Sequence, residues 1–376
     1  MEDIDFRFTG LNKREEHEMV ERRMESNYQD QSTDLMESEK IEAVMRMARP
    51  NVTVIGVGGA GSNIVSWIKQ RGIAGGKLIA ANTDAAHLSI TKADRRILIG
   101  EKSMHGQGAG GYPERGEIAA RESIEEMRKE VARSNIVFIC AGLGGGTGTG
   151  AAAYFARELR DAGRLVIGVV TLPFAVESYR YNNAKKGLER LREYCDTVVA
   201  IDNTKLSKVA GDLPLQDALG VANELVGQFV KGITETITSA SLINIDYADL
   251  RAIMERKGLA AIGVGQASGE HRMDSAVRSA IDGQLLDIRD ITKAKGVLVH
   301  VAGGQDVTLE EVTSAGQMVT QSLPRNTKVV WGARIDPSLG GHVRVMVVLT
   351  GIESTFLAQQ SQYRVSIGPI KMGLKS

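Results

Sequence analysis

At 376 residues, 43% hydrophobic and 24% charged, the chain has room for two ordinary domains with buried cores. Its 46 Lys and Arg balance 46 Asp and Glu, so nothing in the bulk charge recruits nucleic acid or an anionic membrane, and any phosphate must be bound locally. Cys140 and Cys195 form no CxxC pattern, and no stretch approaches the roughly 20 apolar residues of a membrane helix or resembles a signal peptide. A cytoplasmic protein with no nucleic-acid partner and no direct membrane insertion is expected.

Residues 1–48 mix both charges with few large apolar positions and read as a charged, flexible extension. From Asn51 the texture changes. "NVTVIGVGGAGSN" is a β-branched run ending in glycines, and "KLIAANTD", "NIVFICAGLGGG", "RLVIGVVTLP" and "DTVVAID" repeat that form. Helix-length stretches at 112–133 and 149–163 lie between them, giving a βαβα rhythm. The expectation is an α/β fold with a parallel sheet covered by helices on both faces, its ligand beyond the carboxyl ends of the strands.

Residues 217–239 read as one long, fairly apolar helix buried between two bodies. After it, residues 250–257 suggest a helix, and "GVLVHVAGG", "NTKVVWGARID" and "HVRVMVVLTGI" are strands, with helices near 271–281 and 308–322. They make a second, smaller α/β domain with a mixed sheet. Its last two strands, separated only by "PSLGG", are expected to pair as an antiparallel hairpin. The expected segments are therefore 1–48, a nucleotide-binding domain at 49–216, a central helix at 217–239, a second domain at 240–353 and a tail at 354–376.

Glycine clusters follow three of the crossings, at 56–61, 106–111 ("GQGAGG") and 144–150 ("GGGTGTG"). The first fits G-x-G-x-x-G after a strand and before a helix, with Asp84 at the end of the next strand, and on that evidence would suit a dinucleotide dehydrogenase. Three loops instead suit a cradle for a phosphate chain, with backbone N–H groups and helix N-termini as donors. The pattern GxxxxGK[ST] is absent, so a triphosphate would be held without its lysine. Gly144, Gly145 and Gly146 would supply amides, while Thr147 and Thr149 supply hydroxyls beside Gly148. For Asp84, a turn-forming role is nearly as good a reading.

The motif "GGGTGTG" closely resembles the signature of the tubulin/FtsZ superfamily, and the motif order resembles the FtsZ family. The likeness runs through "VIGVGGAGSN", "AANTDA", "GAGGYPERG", "AGLGGGTGTGAA", "IDNTKL", "NIDYADLRAIM", "GVLVHVAGG" and "VVLTGI". It implies a polymerising GTPase that binds GTP or GDP with Mg²⁺ held through the phosphates, and forms head-to-tail homopolymers in a ring at the division site. The alternative is a weakly hydrolysing or non-hydrolysing paralogue acting in cell shape or positioning.

Carried over residue by residue, the resemblance implies that Gly58, Gly59, Ala60, Asn82 and Asp84 line the nucleotide. It places Gly108, Ala109, Gly110 and Gly111 near the γ-phosphate, and Glu177 and Arg180 on the ribose and phosphates, one residue closer together than the family's Glu-x-x-x-Arg. Asn203 and Asn223 would read the guanine edge, and Leu219 stands where an aromatic commonly stacks on it. Asn244, Asp246 and Asp249 would act in trans, orienting water at the γ-phosphate of the next subunit. The lesser alternative for Asp246 or Asp249 is a helix cap. Residue spacing gives the trans reading a physical reason, since a helix over 217–239 is roughly 35 Å long and carries the acids away from a nucleotide near its start. The tail would dock membrane-tethering partners.

Overall fold

The computed structural model describes residues 49–205, 212–238, 241–243, 245–282, 293–321, 323–325, 327–353 and 355–358. The chain from Pro50 onward forms one compact unit. The extension over 1–48, Asn244 and the tail beyond residue 358 lie outside the described residues.

Six parallel strands come first: β1 (Val52–Val57), β2 (Gly76–Asn82), β3 (Arg95–Leu98), β4 (Ile136–Gly142), β5 (Leu165–Leu172) and β6 (Thr197–Asp202). Their order in the sheet is β3-β2-β1-β4-β5-β6. The chain winds outward from β1, then returns to β1's other side, and the crevice opened by such a reversal is where α/β sheets bind ligands. Every residue of β1 and β5 is buried, as expected of strands covered on both faces. β1 and β4 run in register, Gly56 opposite Cys140 and Val57 opposite Ala141, so their following loops emerge side by side.

Helices α1 (Gly58–Arg71), α2 (Ala85–Ile90), α3 (Pro113–Glu122), α4 (Gly146–Asp161) and α5 (Ser178–Tyr194) connect these strands. The helix expected over 112–133 is divided, because Ser123 leaves helical geometry and a second helix runs over Ile124–Glu130. The Ser123 hydroxyl accepts a hydrogen bond from the Gly100 amide there, 3.2 Å away. α4 starts three residues earlier than expected, which puts Thr147, Gly148 and Thr149 within the helix's first turn.

The long helix is α6 (Leu215–Thr238), followed by α7 (Tyr247–Met254), β7 (Gly258–Ser268), α8 (Arg272–Asp282), β8 (Gly296–Gly303), α9 (Leu309–Thr320), β9 (Lys328–Ile335) and β10 (His342–Ile352). These strands continue the same sheet in the order β7-β10-β8-β9. The expected β9–β10 hairpin does not form: β9 pairs parallel with β8, and β10 lies antiparallel between β8 and β7. The "PSLGG" turn spans a 3₁₀ turn at Pro337–Leu339 and carries the chain past the end of β8. Crossing one strand needs about 10 Å, which six residues cover easily.

Two apolar cores flank the sheet. In one, Val226, Phe229, Val230, Ile233 and Ile237 of α6 meet Ile64 and Ile68 of α1, Phe138 of β4, Ile253 of α7 and Val348 of β10. A single helix thus serves both halves of the chain, and Phe229 meets Phe138 edge to face with centroids 6.1 Å apart. Each cysteine is a free, buried thiol, and burial pushes Cys140 up to about 12, leaving it without reactive thiolate at neutral pH. Among the described residues no helix is long and apolar enough to cross a membrane.

Candidate nucleotide site

At the carboxyl ends of β1, β4, β5 and β6 a cavity of about 300 Å³ is lined by Gly59, Ala60, Gly145, Thr147, Thr171, Pro173, Glu177, Arg180 and Asn203, among others. Two helices begin at it, α1 and α4, and neither start has a side-chain cap. The first N–H groups of a helix lack intrahelical partners and carry the positive end of its dipole. They touch closely: a Cβ on Gly58, whose φ is +72°, would stand 3.0 Å from the Gly148 amide nitrogen. Two bare helix starts beside the Arg180 guanidinium make a site for a polyanion.

The glycines divide by what surrounds them. A Cβ on Gly148 would meet the Gly142 carbonyl oxygen at 2.3 Å, and one on Gly146 would meet Ala109 and the Tyr112 backbone at 2.8 Å, so these two are set by packing. A Cβ on Gly145 would meet nothing within 4 Å, which marks it as cavity floor. Gly108 and Gly111 are likewise open, with φ of +80° and +82°.

The loop over 106–111 is tied to Thr83 and to the loop over 144–150 without lining this cavity. The Gly108 amide donates to the Thr83 carbonyl at 3.0 Å, and Ala109 is buried against Gly146. Asn183 of α5 donates to the carbonyls of Gly111 at 3.3 Å and Gly144 at 3.5 Å. The Thr83 and Thr147 hydroxyls lie 2.6 Å apart. Thr149 does not line the cavity; its hydroxyl accepts from the Gly144 amide at 2.8 Å and holds the loop from beneath.

Glu177 and Arg180 stand together on the cavity wall, Arg180 donating to Glu177 at 2.9 Å across the start of α5. The shortened spacing thus leaves both side chains on one face of the first turn. Among the described residues Asn203 Oδ1 is buried with no hydrogen-bond partner, an acceptor left open on the cavity wall. Such an orphan is costly unless a ligand or water completes it. Open cradle, bare helix starts, cation and unpaired amide fit a nucleotide.

Three further expected residues, Asn82, Asp84 and Asn223, stand outside the cavity's lining. Asn82 is 3% exposed and its amide donates to His87 Nδ1 at 3.3 Å, while Asp84 caps α2 by accepting from the His87 amide at 3.0 Å. Asn223 is half-buried on α6 and outside the cavity's lining. Thr83, Thr171, Pro173 and Asn183 were missed in the sequence. Thr171 could have been found from the expected strand ends, since it pairs with Gly142; Asn183 acts across a long-range contact that no local pattern signals.

The acidic turn is built separately. Ile243 pairs antiparallel with Ala333, extending the β9 edge, and Ile245 packs on Gly332. Asp246, exposed, caps α7 by accepting from the Asp249 amide at 2.7 Å. Before it, α6 is clasped to the loop preceding β2: Lys231 donates to the Gly72 carbonyl at 2.7 Å, and Thr238 to the Ala74 carbonyl at 3.1 Å. The carboxyl end of α6 therefore sits at the amino ends of the parallel strands, opposite the glycine loops. Among the described residues no group of three His, Cys, Asp or Glu side chains could hold a metal ion.

The chain matches the tubulin/FtsZ family GTPase domain over residues 51–211 and the FtsZ family C-terminal domain over 258–353. These matches place the fold and cavity in the tubulin/FtsZ class of GTPases. Cell division protein FtsZ 1 of Archaeoglobus fulgidus is 46% identical over 329 residues, covering 87% of this chain and 89% of that protein. FtsZ 2 of Methanocaldococcus jannaschii is 45% identical over 306 residues, 81% of this chain and 80% of that protein. The solved M. jannaschii FtsZ dimer superposes with a TM-score of 0.80 at 46% identity, covering 84% of this chain and 92% of that one. The chain belongs to the FtsZ family.

Proposed function

We propose that this protein binds GTP in the glycine-lined cavity, polymerises head to tail, and hydrolyses GTP at each junction to support cell division. One observation carries the proposal: the acidic turn and the glycine loops occupy opposite ends of one subunit. A head-to-tail contact brings the acids of one copy to the cavity of the next, and such a contact does not close on itself. Neither copy alone then holds both the phosphates and the groups that orient water.

In this reading the first turns of α1 and α4 donate to the phosphates, with Gly59, Ala60, Gly145 and Gly146 nearest. The loop over Gly108–Gly111 closes on the γ-phosphate, and Mg²⁺ is held through phosphate oxygens. Arg180 and Glu177 take the phosphates and ribose, and Asn203, with Asn223 on α6, reads the guanine edge through amide donor and acceptor. Asp246 and Asp249 of the neighbouring subunit orient the attacking water, with Asn244 beside them. Residues 49–216 and 240–353 act as the two working halves on either side of the central helix. Filaments gather as a ring at the division site, and the tail over 354–376 docks membrane-tethering proteins.

The test is binding and sedimentation together. GTP should compete a fluorescent guanine nucleotide from the protein while ATP and NADH do not, and the protein should pellet with GTP and Mg²⁺ but not with GDP. Binding without pelleting would leave a nucleotide-binding regulator and remove the polymer. Removing residues 364–376 should abolish ring localisation while leaving pelleting intact.

A further inference from the structure

We infer that Thr83 is a positioning residue that points the Thr147 hydroxyl proton into the cavity, making Thr147 a hydrogen-bond donor to a phosphate oxygen of the nucleotide. The inference rests on the nucleotide reading of the cavity. Thr83 is fully buried at the turn between β2 and α2, and among the described residues its hydroxyl has one partner, Thr147 Oγ1, at 2.6 Å. A hydroxyl has one proton to give and two lone pairs. A buried donor with a single available acceptor gives its proton there, because leaving it unmade is the costlier arrangement. Thr147 has a second direction open to it, since it stands on the cavity wall at the second residue of α4. Thr83 therefore donates, Thr147 accepts, and the Thr147 proton is left facing the ligand.

The same residue sets the loop on the other side. The Thr83 carbonyl accepts from the Gly108 amide at 3.0 Å, so one residue ties the loop over Gly108–Gly111 to the first turn of α4. A threonine so placed acts through Thr147, and its removal leaves the Thr147 hydroxyl free to rotate away from the ligand.

The test is a double-mutant cycle on GTP affinity, measured by titration with a fluorescent GTP analogue below the concentration at which the protein assembles. Thr83→Val, which keeps shape and removes the hydroxyl, should weaken binding about fivefold. Thr83→Ser, which restores the donor, should bind within about twofold of the unaltered protein by the same reasoning. Thr83→Val added to Thr147→Val should bind like Thr147→Val alone, since the pair acts as a unit. Unchanged affinity in Thr83→Val, or losses that multiply in the double variant, would overturn the inference. If Thr83→Val does not fold, Thr83→Ala makes the same comparison by leaving a small void instead. Failure of the unaltered protein to bind the analogue at all would instead remove the nucleotide reading, a distinguishable result.

Discussion

At the scale of single residues, the glycine-rich turn does two jobs that look identical in sequence. Gly148 is hemmed in by the Gly142 carbonyl, whereas Gly145 opens onto the cavity. Gly148→Ala should lower stability by about 1–3 kcal/mol in urea unfolding, as overpacking does. Gly145→Ala should unfold like the unaltered protein and lose GTP affinity, because its methyl group takes ligand space. Equal effects of the two on stability would contradict this division. His300 offers a second residue-scale prediction. It is 5% exposed on β8, its Nε2 lacks a partner among the described residues, and burial, with Arg334 and Arg344 nearby, depresses its pKa from 6.5 to about 4. The unfolded chain then takes up a proton that the native state refuses. The stability owed to neutral His300 is complete above about pH 6.5 and is lost as the pH falls toward 4, by up to about 1.4 kcal/mol per pH unit. His300→Leu should remove that slope between pH 6.5 and 4 in urea titrations.

At the scale of elements, α6 is the member that joins the halves. Glu235, 5% exposed, accepts from Arg334 of β9 at 2.6 Å, from Lys231 at 2.9 Å and from the Ala74 amide at 3.3 Å. One carboxylate thus links the loop before β2, the long helix and the strand that pins the acidic turn. Glu235→Ala leaves the half-buried Arg334 guanidinium its longer contact to Asp336, at 3.3 Å, and should cost about 2 kcal/mol, while Glu235→Met combined with Arg334→Leu should cost less, as replacing a largely buried pair usually does. Thermal unfolding of the three proteins would decide it. In α7, Asp246 serves as cap as well as candidate acid, so Asp246→Asn should keep stability and lose hydrolysis, whereas Asp246→Ala should lose about 1 kcal/mol besides. Much of this scale was legible, since most strand runs, the long helix and the caps are local patterns, though β3 and β7 were not expected. The β9–β10 hairpin was misread because "PSLGG" specifies a turn but not which strand lies beyond it; β8, placed by its pairing with both β9 and β10, took that position.

At the scale of the whole molecule, topology decides what the site can do alone. Parallel strands send their glycine loops to one end, and α6, about 36 Å long at 24 residues, carries the acids to the other. The loops themselves were legible because glycines between an apolar run and a helix have a local cause. Thr83 and Asn183 were not, because each acts on residues far away in sequence: Thr83 reaches Thr147, and Asn183 reaches Gly111 and Gly144. Thr149 looked like a ligand group and is a brace, since its hydroxyl turns inward to Gly144. The central claim is that hydrolysis belongs to a pair of subunits. The most direct measurement is phosphate release per subunit from GTP and Mg²⁺ across a range of protein concentrations, beside the Asp249→Ala protein. A shared site gives a rate per subunit near zero below a threshold, rising above it, and lost in Asp249→Ala. A rate per subunit that is constant with concentration and indifferent to that substitution would contradict it.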